Sequence, residues 1–244
     1  MKNIFASIIA GSCLFMTACK KTNATDAGSS NEKGRVKGHV VDTKGNPIAN
    51  AKVVIENTVL YASYVHATTD GDGFYNTTVP NGSWKVSVQI EKQYLGVNYK
   101  FDLHPDNANP FSGSESAERN FSWKLAGAKP EGAGYYGGYV MLYNEPGSVF
   151  DIQDVELTLI PVDLLVDGSN GQHIIKKTTK VGGGEDGIAD VPLGKYKISA
   201  WNTATGESLQ VRLRNNGDYS SSIAALFGSG FTGVTTYQIV VQVK

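Results

Sequence analysis

From residue 35 onward, apolar side chains recur at every second position in short runs, and each run stops at a cluster of Gly, Asp, Asn or Pro. That period of two turns one face of a strand inward. Residues 36–41 (VKGHVV) predict a first strand, closed by the turn DTKGNP. Residues 51–56 (AKVVIE) predict a second and residues 60–66 (LYASYVH) a third. The sequence TTDGDG then makes a tight turn, because Asp and Gly accept positive φ and hydrogen-bond locally. Residues 74–79 follow, and PNG makes another turn. In WKVSVQI the alternation puts Trp84, Val86, Val88 and Ile90 on one face. Residues 95–103 and 121–125 complete about seven strands, the signature of an antiparallel sandwich.

The pattern then repeats. VPNGSWKVSV, at 79–88, returns as VPLGKYKISA at 191–200. Gly138-Tyr139-Val140-Met141 parallels Gly38-His39-Val40-Val41, and residues 152–157 parallel 48–53. The offset grows from 100 to 104 to 112 along the chain, as loop insertions would produce. The expected plan is all-β: two tandem antiparallel sandwiches, residues 35–126 and 135–244, joined by AGAKPEGAG. Residues 235–243 predict the closing strand, while 220–244 align with nothing in the first half.

Composition changes this picture little. Charged residues are 18% of the chain and the net charge is -1, so no global field draws it to nucleic acid. The N-terminus changes it more. Lys2 precedes an apolar stretch, residues 4–16, too short to span a bilayer. Thr17 and Ala18 then lead to Cys19. This stretch resembles a bacterial lipoprotein signal, with Met16 where Leu is usual. The resemblance implies cleavage after residue 18 and acyl chains on Cys19, which also accounts for a single cysteine in an exported chain. Residues 20–34 read as a flexible polar tether with a reach of roughly 20 Å. Lys20 follows the cysteine where an Asp would resemble an inner-membrane retention signal. The expected address is the outer membrane, with the periplasmic face preferred to the cell surface.

A second resemblance is carried by GHVVDTKGNPIANAKVVIE and TTDGDGFYNTTVPNGSWKVSV. Gly38, Asp42, Gly45, Pro47, Ile48, Ala51, Val53, Thr69, Asp70, Gly73, Tyr75, Pro80, Gly82 and Trp84 fit the pattern of the carboxypeptidase regulatory-like family. That likeness implies a transthyretin-like β-sandwich and a non-catalytic module, often structural or binding. It carries over no active site.

No constellation for chemistry stands out. His39, His66, His104 and His173 are scattered, without metal-site spacing, and no Gly-x-Ser-x-Gly elbow is present. His66, Asp70 and Ser63 could meet only through the turn at 68–73. DGDG lacks the further oxygen ligands of a calcium loop and reads as a turn, as does Glu185-Asp186 with Asp190. No cofactor or metal is expected. Phase sorts the aromatics instead: Trp84 and Trp123 read as core, whereas Trp201 falls opposite Tyr196, Ile198 and Ala200, on the outer face. Trp201, Tyr135, Tyr136 and Tyr139 are the candidate contact residues, the tyrosines also suiting interdomain packing. Residues 104–118 read as a long structureless loop. The expected function is a non-catalytic lipoprotein binding an envelope protein partner; the alternative is a carbohydrate-binding surface. An envelope hydrolase is the outside reading.

Overall fold

The computed structural model describes residues 33–230 and 236–244. The export signal, Cys19 and all but the end of the tether lie outside the described residues. The regular structure of the described part is strand, apart from three one-turn 3-10 helices. The first half holds β1 (Arg35–Val41), β2 (Lys52–Asn57), β3 (Tyr64–Thr68), β4 (Phe74–Thr78), β5 (Ser83–Tyr94) and β6 (Val97–Leu103). Three short strands follow: β7 (Phe111–Ser112), β8 (Ala117–Glu118) and β9 (Phe121–Ser122). The second half holds β10 (Gly138–Asn144), β11 (Val155–Pro161), β12 (Ile174–Lys177), β13 (Thr179–Lys180), β14 (Asp186–Val191) and β15 (Lys195–Asn202). It ends with β16 (Glu207–Leu209), β17 (Val211–Leu213), β18 (Asn216–Ser220), β19 (Ile223–Leu226), β20 (Gly228–Ser229) and β21 (Tyr237–Val243).

Each half is built from two facing sheets. In the first, β4-β1-β8 with β9 faces β3-β2-β5-β6 with β7. In the second, β13-β14-β10-β21-β17-β18 with β20 faces β12-β11-β15-β16 with β19. The pairing runs in the same sense twice. β1 pairs antiparallel with β4 and parallel with β8 and β9; β10 pairs antiparallel with β14 and parallel with β21. The alternation in the sequence fills both cores: Trp84, Val86, Val88 and Ile90 are buried in the first, and Tyr196, Ile198 and Ala200 in the second. Beside them, on the neighbouring strand of the same sheet, Val53 and Ile55, and Val155, Leu157 and Leu159, are buried too.

Matched side-chain devices accompany the matched pairing. Trp84 Nε1 donates to the carbonyl of Pro80 at 2.9 Å, and Tyr196 OH donates to that of Pro192 at 2.8 Å. In each V-P-x-G turn the buried aromatic four residues on ties the turn to the strand it starts. Thr69 Oγ1 donates to Ile48 O and accepts from the Ala51 amide. Thr178 Oγ1 lies within hydrogen-bond reach of both Ile152 O and Val155 O and shares its single proton between them. Both threonines are 3% exposed. Gly38 and Gly138 leave no room for a side chain: a Cβ would sit 1.8 Å from Arg119 O in one case and 2.5 Å from the Phe227 ring in the other.

The structure also departs from the sequence expectations. The third strand begins at Tyr64, not residue 60, because the Asn57 side chain organises residues 58–63 as a loop. β6 begins at Val97 because Leu95 and Gly96 take φ of 46° and 82°, a two-residue hairpin turn. Only Phe121–Ser122 of the predicted last strand pairs, although Trp123 and Leu125 remain buried. The loop over 104–118 carries β7, paired with the start of β5, and β8, paired with β1. Arg119 pins it further, donating to Glu118 O and Asn109 O.

The described residues belong to one compact unit, and every strand ladder stays within 35–122 or within 138–243. Side chains make the join. Tyr99 OH donates to Phe227 O at 2.7 Å, and Tyr237 OH accepts from Lys100 N at 2.6 Å. The Tyr99 and Tyr237 rings meet edge-on with centroids 4.9 Å apart. Beside them Tyr94 OH donates to Leu164 O and accepts from Lys195 N, and Thr43 Oγ1 donates to Asp167.

Candidate interaction surface

Trp201 stands on the open face of the β12-β11-β15-β16 sheet, 43% exposed. Across the sheet it lies opposite Glu156 on β11 and Ser208 on β16, and Glu156 in turn lies opposite Lys177 on β12. The neighbouring row holds Ser199, Thr158 and Ile175, the last 61% exposed. Lys177 Nζ is 3.1 Å from Asp154, an exposed pair that orders side chains more than it stabilises. Buried Asn202, directly after Trp201, accepts from the amides of Ala204 and Thr205 and so fixes the turn that ends the strand. Gly206 in that turn approaches the edge of the indole. The result is a flat, rigid platform: an aromatic ring, an aliphatic side chain and hydroxyl or charged groups on one plane.

The three tyrosines occupy a different place. Tyr135, Tyr136 and Tyr139 line one small cleft of about 40 Å³ with Lys129, Leu193 and Tyr237. Leu193 lies in the turn before β15 and Trp201 near the far end of that strand, so the six residue steps of strand from Lys195, about 20 Å, separate the two surfaces. Tyr135 is 41% exposed and packs edge-on against Tyr139, centroids 6.5 Å apart. Tyr136 turns toward the first half, its ring edge-on to His104 at 5.4 Å and under Lys124 at 5.5 Å. Asp190, at a φ of 60°, holds the segment by accepting from the amides of Gly127 and Gly137. Tyr143 lies apart, beneath the Arg214 guanidinium.

A second, still smaller cleft of about 20 Å³ adjoins Tyr136, lined by Phe101, Asp102, Ser122, Trp123, Lys124 and Lys129. Trp123 Nε1, in its wall, and His104 Nδ1 nearby are buried without hydrogen-bond partners. Burial first, then Lys129 and Lys124, hold the His104 imidazolium pKa below its ordinary value, against the opposing pull of Asp102. Burial pushes the Tyr136 phenol up.

The acidic turns have local occupations. Asp70 accepts from the amides of Asp72 and Phe74, and Asp42 accepts from those of Lys44 and Asn46. Asp186 takes Lys180 at 2.8 Å. Among the described residues, no group of three His, Cys, Asp or Glu is placed to hold a metal ion, and no helix is long and apolar enough to cross a membrane. His66 stacks on Tyr64, centroids 6.1 Å apart, while the Asp70 carboxylate stays within its own turn.

One surface escaped the sequence reading. Val59, Leu60 and Tyr61 form a loop tip, 79%, 62% and 100% exposed. The available signal was three consecutive large apolar residues directly after Asn-Thr, which breaks the period of two.

Residues 35–110 match the carboxypeptidase regulatory-like domain family. Comparison with curated proteins returned no match. Among solved structures, the chain is similar to the Bacillus anthracis TIE protein at 14% identity, covering 86% of this chain and 34% of that one, with a TM-score of 0.35. It is similar to a streptococcal ancillary pilin at 14% identity, covering 84% of this chain and 61% of that one, with a TM-score of 0.25. A C-terminal fragment of the pilus adhesin SpaC from Lactobacillus rhamnosus GG shows 9% identity, 85% and 95% coverage and a TM-score of 0.26. This chain thus spans about a third of the first of these proteins. Likenesses so loose transfer neither a site nor a partner; what stands is a match to the carboxypeptidase regulatory-like domain family over residues 35–110, within an all-β chain.

Proposed function

We propose that this protein is a lipid-anchored, non-catalytic interaction module of the cell envelope. Cys19 carries the acyl chains in the outer membrane, residues 20–34 form the tether, and the body faces the periplasm. The second half is a divergent copy of the first, which accounts for the matched turn clamps at Trp84 and Tyr196 and the matched threonine ties at Thr69 and Thr178. The body presents a preformed surface to an envelope protein.

The observation that carries this reading is the Trp201 platform. A large ring held exposed on a rigid strand, by a sheet on both sides and a fixed turn beyond, has little ordering entropy left to lose on binding. A photo-crosslinking residue at position 201 in living cells should give one adduct of defined mass, and Trp201→Ala in the native chain should weaken recovery of that partner at least about tenfold. A diffuse smear of adducts, or full recovery with the alanine variant, would remove the protein-partner reading.

The same platform favours one alternative. An indole flanked by Ser199, Thr158 and Glu156 has the composition of a sugar-stacking surface. A glycan array that gives binding lost in Trp201→Ala would move the assignment to carbohydrate recognition, and a blank array would dismiss it.

A further inference from the structure

The Val59-Leu60-Tyr61 tip is the most exposed apolar feature among the described residues, and its backbone is fixed. Asn57, itself 6% exposed, accepts from the amides of Val59 and Leu60 at 2.9 and 2.8 Å. Asn57 N donates to Ser63 O, and Thr58 is tied to Ser83 through both backbone and hydroxyl. The three side chains are therefore held outward in water by the fold, an arrangement that marks an interaction site.

Its position in the sandwich is informative. Gly34, where the chain enters β1, donates to Glu115 O and accepts from Val79 N. Gly113 N, two residues from Glu115, donates to Gly82 O, and Ser83 next to Gly82 holds Thr58. One run of direct contacts thus leads from the tether's point of entry to the tip, so both lie at the same end of the first sandwich. The other end is covered: Tyr94, Tyr99 and Thr43 are engaged there by Leu164, Phe227 and Asp167. The corresponding loop of the second half, between β11 and β12, buries Leu165 and Val166. The apolar tip of the first half lacks such cover.

We infer that Val59, Leu60 and Tyr61 insert into the headgroup and upper acyl region of the bilayer that holds the anchor, so that the body stands on the membrane by this end. The inference rests on acylation of Cys19. Residues 20–34 contain no large apolar side chain that could cover the tip themselves. They are long enough, at roughly 20 Å r.m.s. reach, to let the tip meet the surface while Cys19 is anchored. Anchoring also makes insertion an intramolecular event, so a small apolar loop suffices where a free protein would need a larger one. Two contacts with the bilayer, one acyl and one loop, then fix the orientation that a lone tether leaves open.

The test uses the mature acylated chain in phosphatidylethanolamine and phosphatidylglycerol vesicles, with bimane on Tyr61→Cys and, separately, on Ile175→Cys as a distant exposed control. Quenching by doxyl-labelled lipids at position 61 and not at 175 is the expected result. Equal solvent exposure at both positions overturns the inference. Shielding at 61 in native membranes but not in protein-free vesicles also overturns it, since a protein would then be the occupant. Mass spectrometry of Cys19 reports the anchor independently. If no acyl chain is present, the anchor reading fails on its own account, and the tip inference, which rests on it, is overturned with it. If Cys19 is acylated and position 61 is still unquenched, the anchor stands and the tip inference alone is overturned.

Discussion

At the scale of single residues, the most informative pair is Thr69 and Thr178. Each hydroxyl is buried and satisfies a backbone group where a strand begins, beside Ala51 in one half and Val155 in the other. Valine has nearly the same shape but cannot hydrogen-bond: Thr69→Val leaves the buried Ala51 amide without its partner, whereas Ile152 O and Val155 O keep the amides of Val155 and Thr178 as donors. Thr69→Val should lower the unfolding free energy by about 1–3 kcal/mol in urea titrations and Thr178→Val by less, with serine restoring part of each loss. Losses below a few tenths of a kcal/mol would show that the ties carry no stability. The threonines were not readable as ties in advance, because Thr also suits strand surfaces and only the fold brings residues 21 and 26 positions away against them.

At the scale of elements, legibility followed side-chain alternation. β5 and β15 were plain because one face reads Trp84, Val86, Val88, Ile90 and the other half reads Tyr196, Ile198, Ala200. Trp201 fell on the open face by the same phase. The β2–β3 loop reads as strand in the sequence because Tyr and Val have strand propensity, whereas a buried Asn57 side chain decides the backbone there. Short strands β7 and β8 left no signature, since two residues cannot show a period. The start of their loop holds His104, which gives the element a pH response. Its imidazolium pKa is lowered in the folded state by burial and by Lys129, so the unfolded chain binds the proton more readily. The stabilising contribution is complete above about pH 6.5 and fades as pH falls below it. Calorimetry from pH 7 to pH 5, a window in which ordinary carboxylates stay ionised, should show a falling Tm whose slope lessens in His104→Gln. An unchanged slope would assign the response elsewhere.

At the scale of the whole molecule, the two halves are bound by a buried tyrosine junction rather than by shared strands. Tyr99 is fully buried, and its hydroxyl and ring engage Phe227 and Tyr237 from the other half. Tyr99→Ala would leave a cavity in both cores and expose their contact, at a cost of about 3–5 kcal/mol. The native protein should unfold in one transition with equal calorimetric and van't Hoff enthalpies, and the variant in two. Two transitions in the parent, unchanged by the substitution, would mean that the junction couples nothing.

The place of β21 bears on the order of assembly. It lies inside its sheet, parallel to β10 and flanked by β17, with Tyr139 facing Gln238. A polypeptide that emerges N-terminus first can finish its first sandwich once Ser122 is out. β10 then waits with a bare, apolar edge for a partner about 100 residues downstream. That interval is when the nascent chain has most need of a holding factor, and it ends only when the final strand slides between its two neighbours.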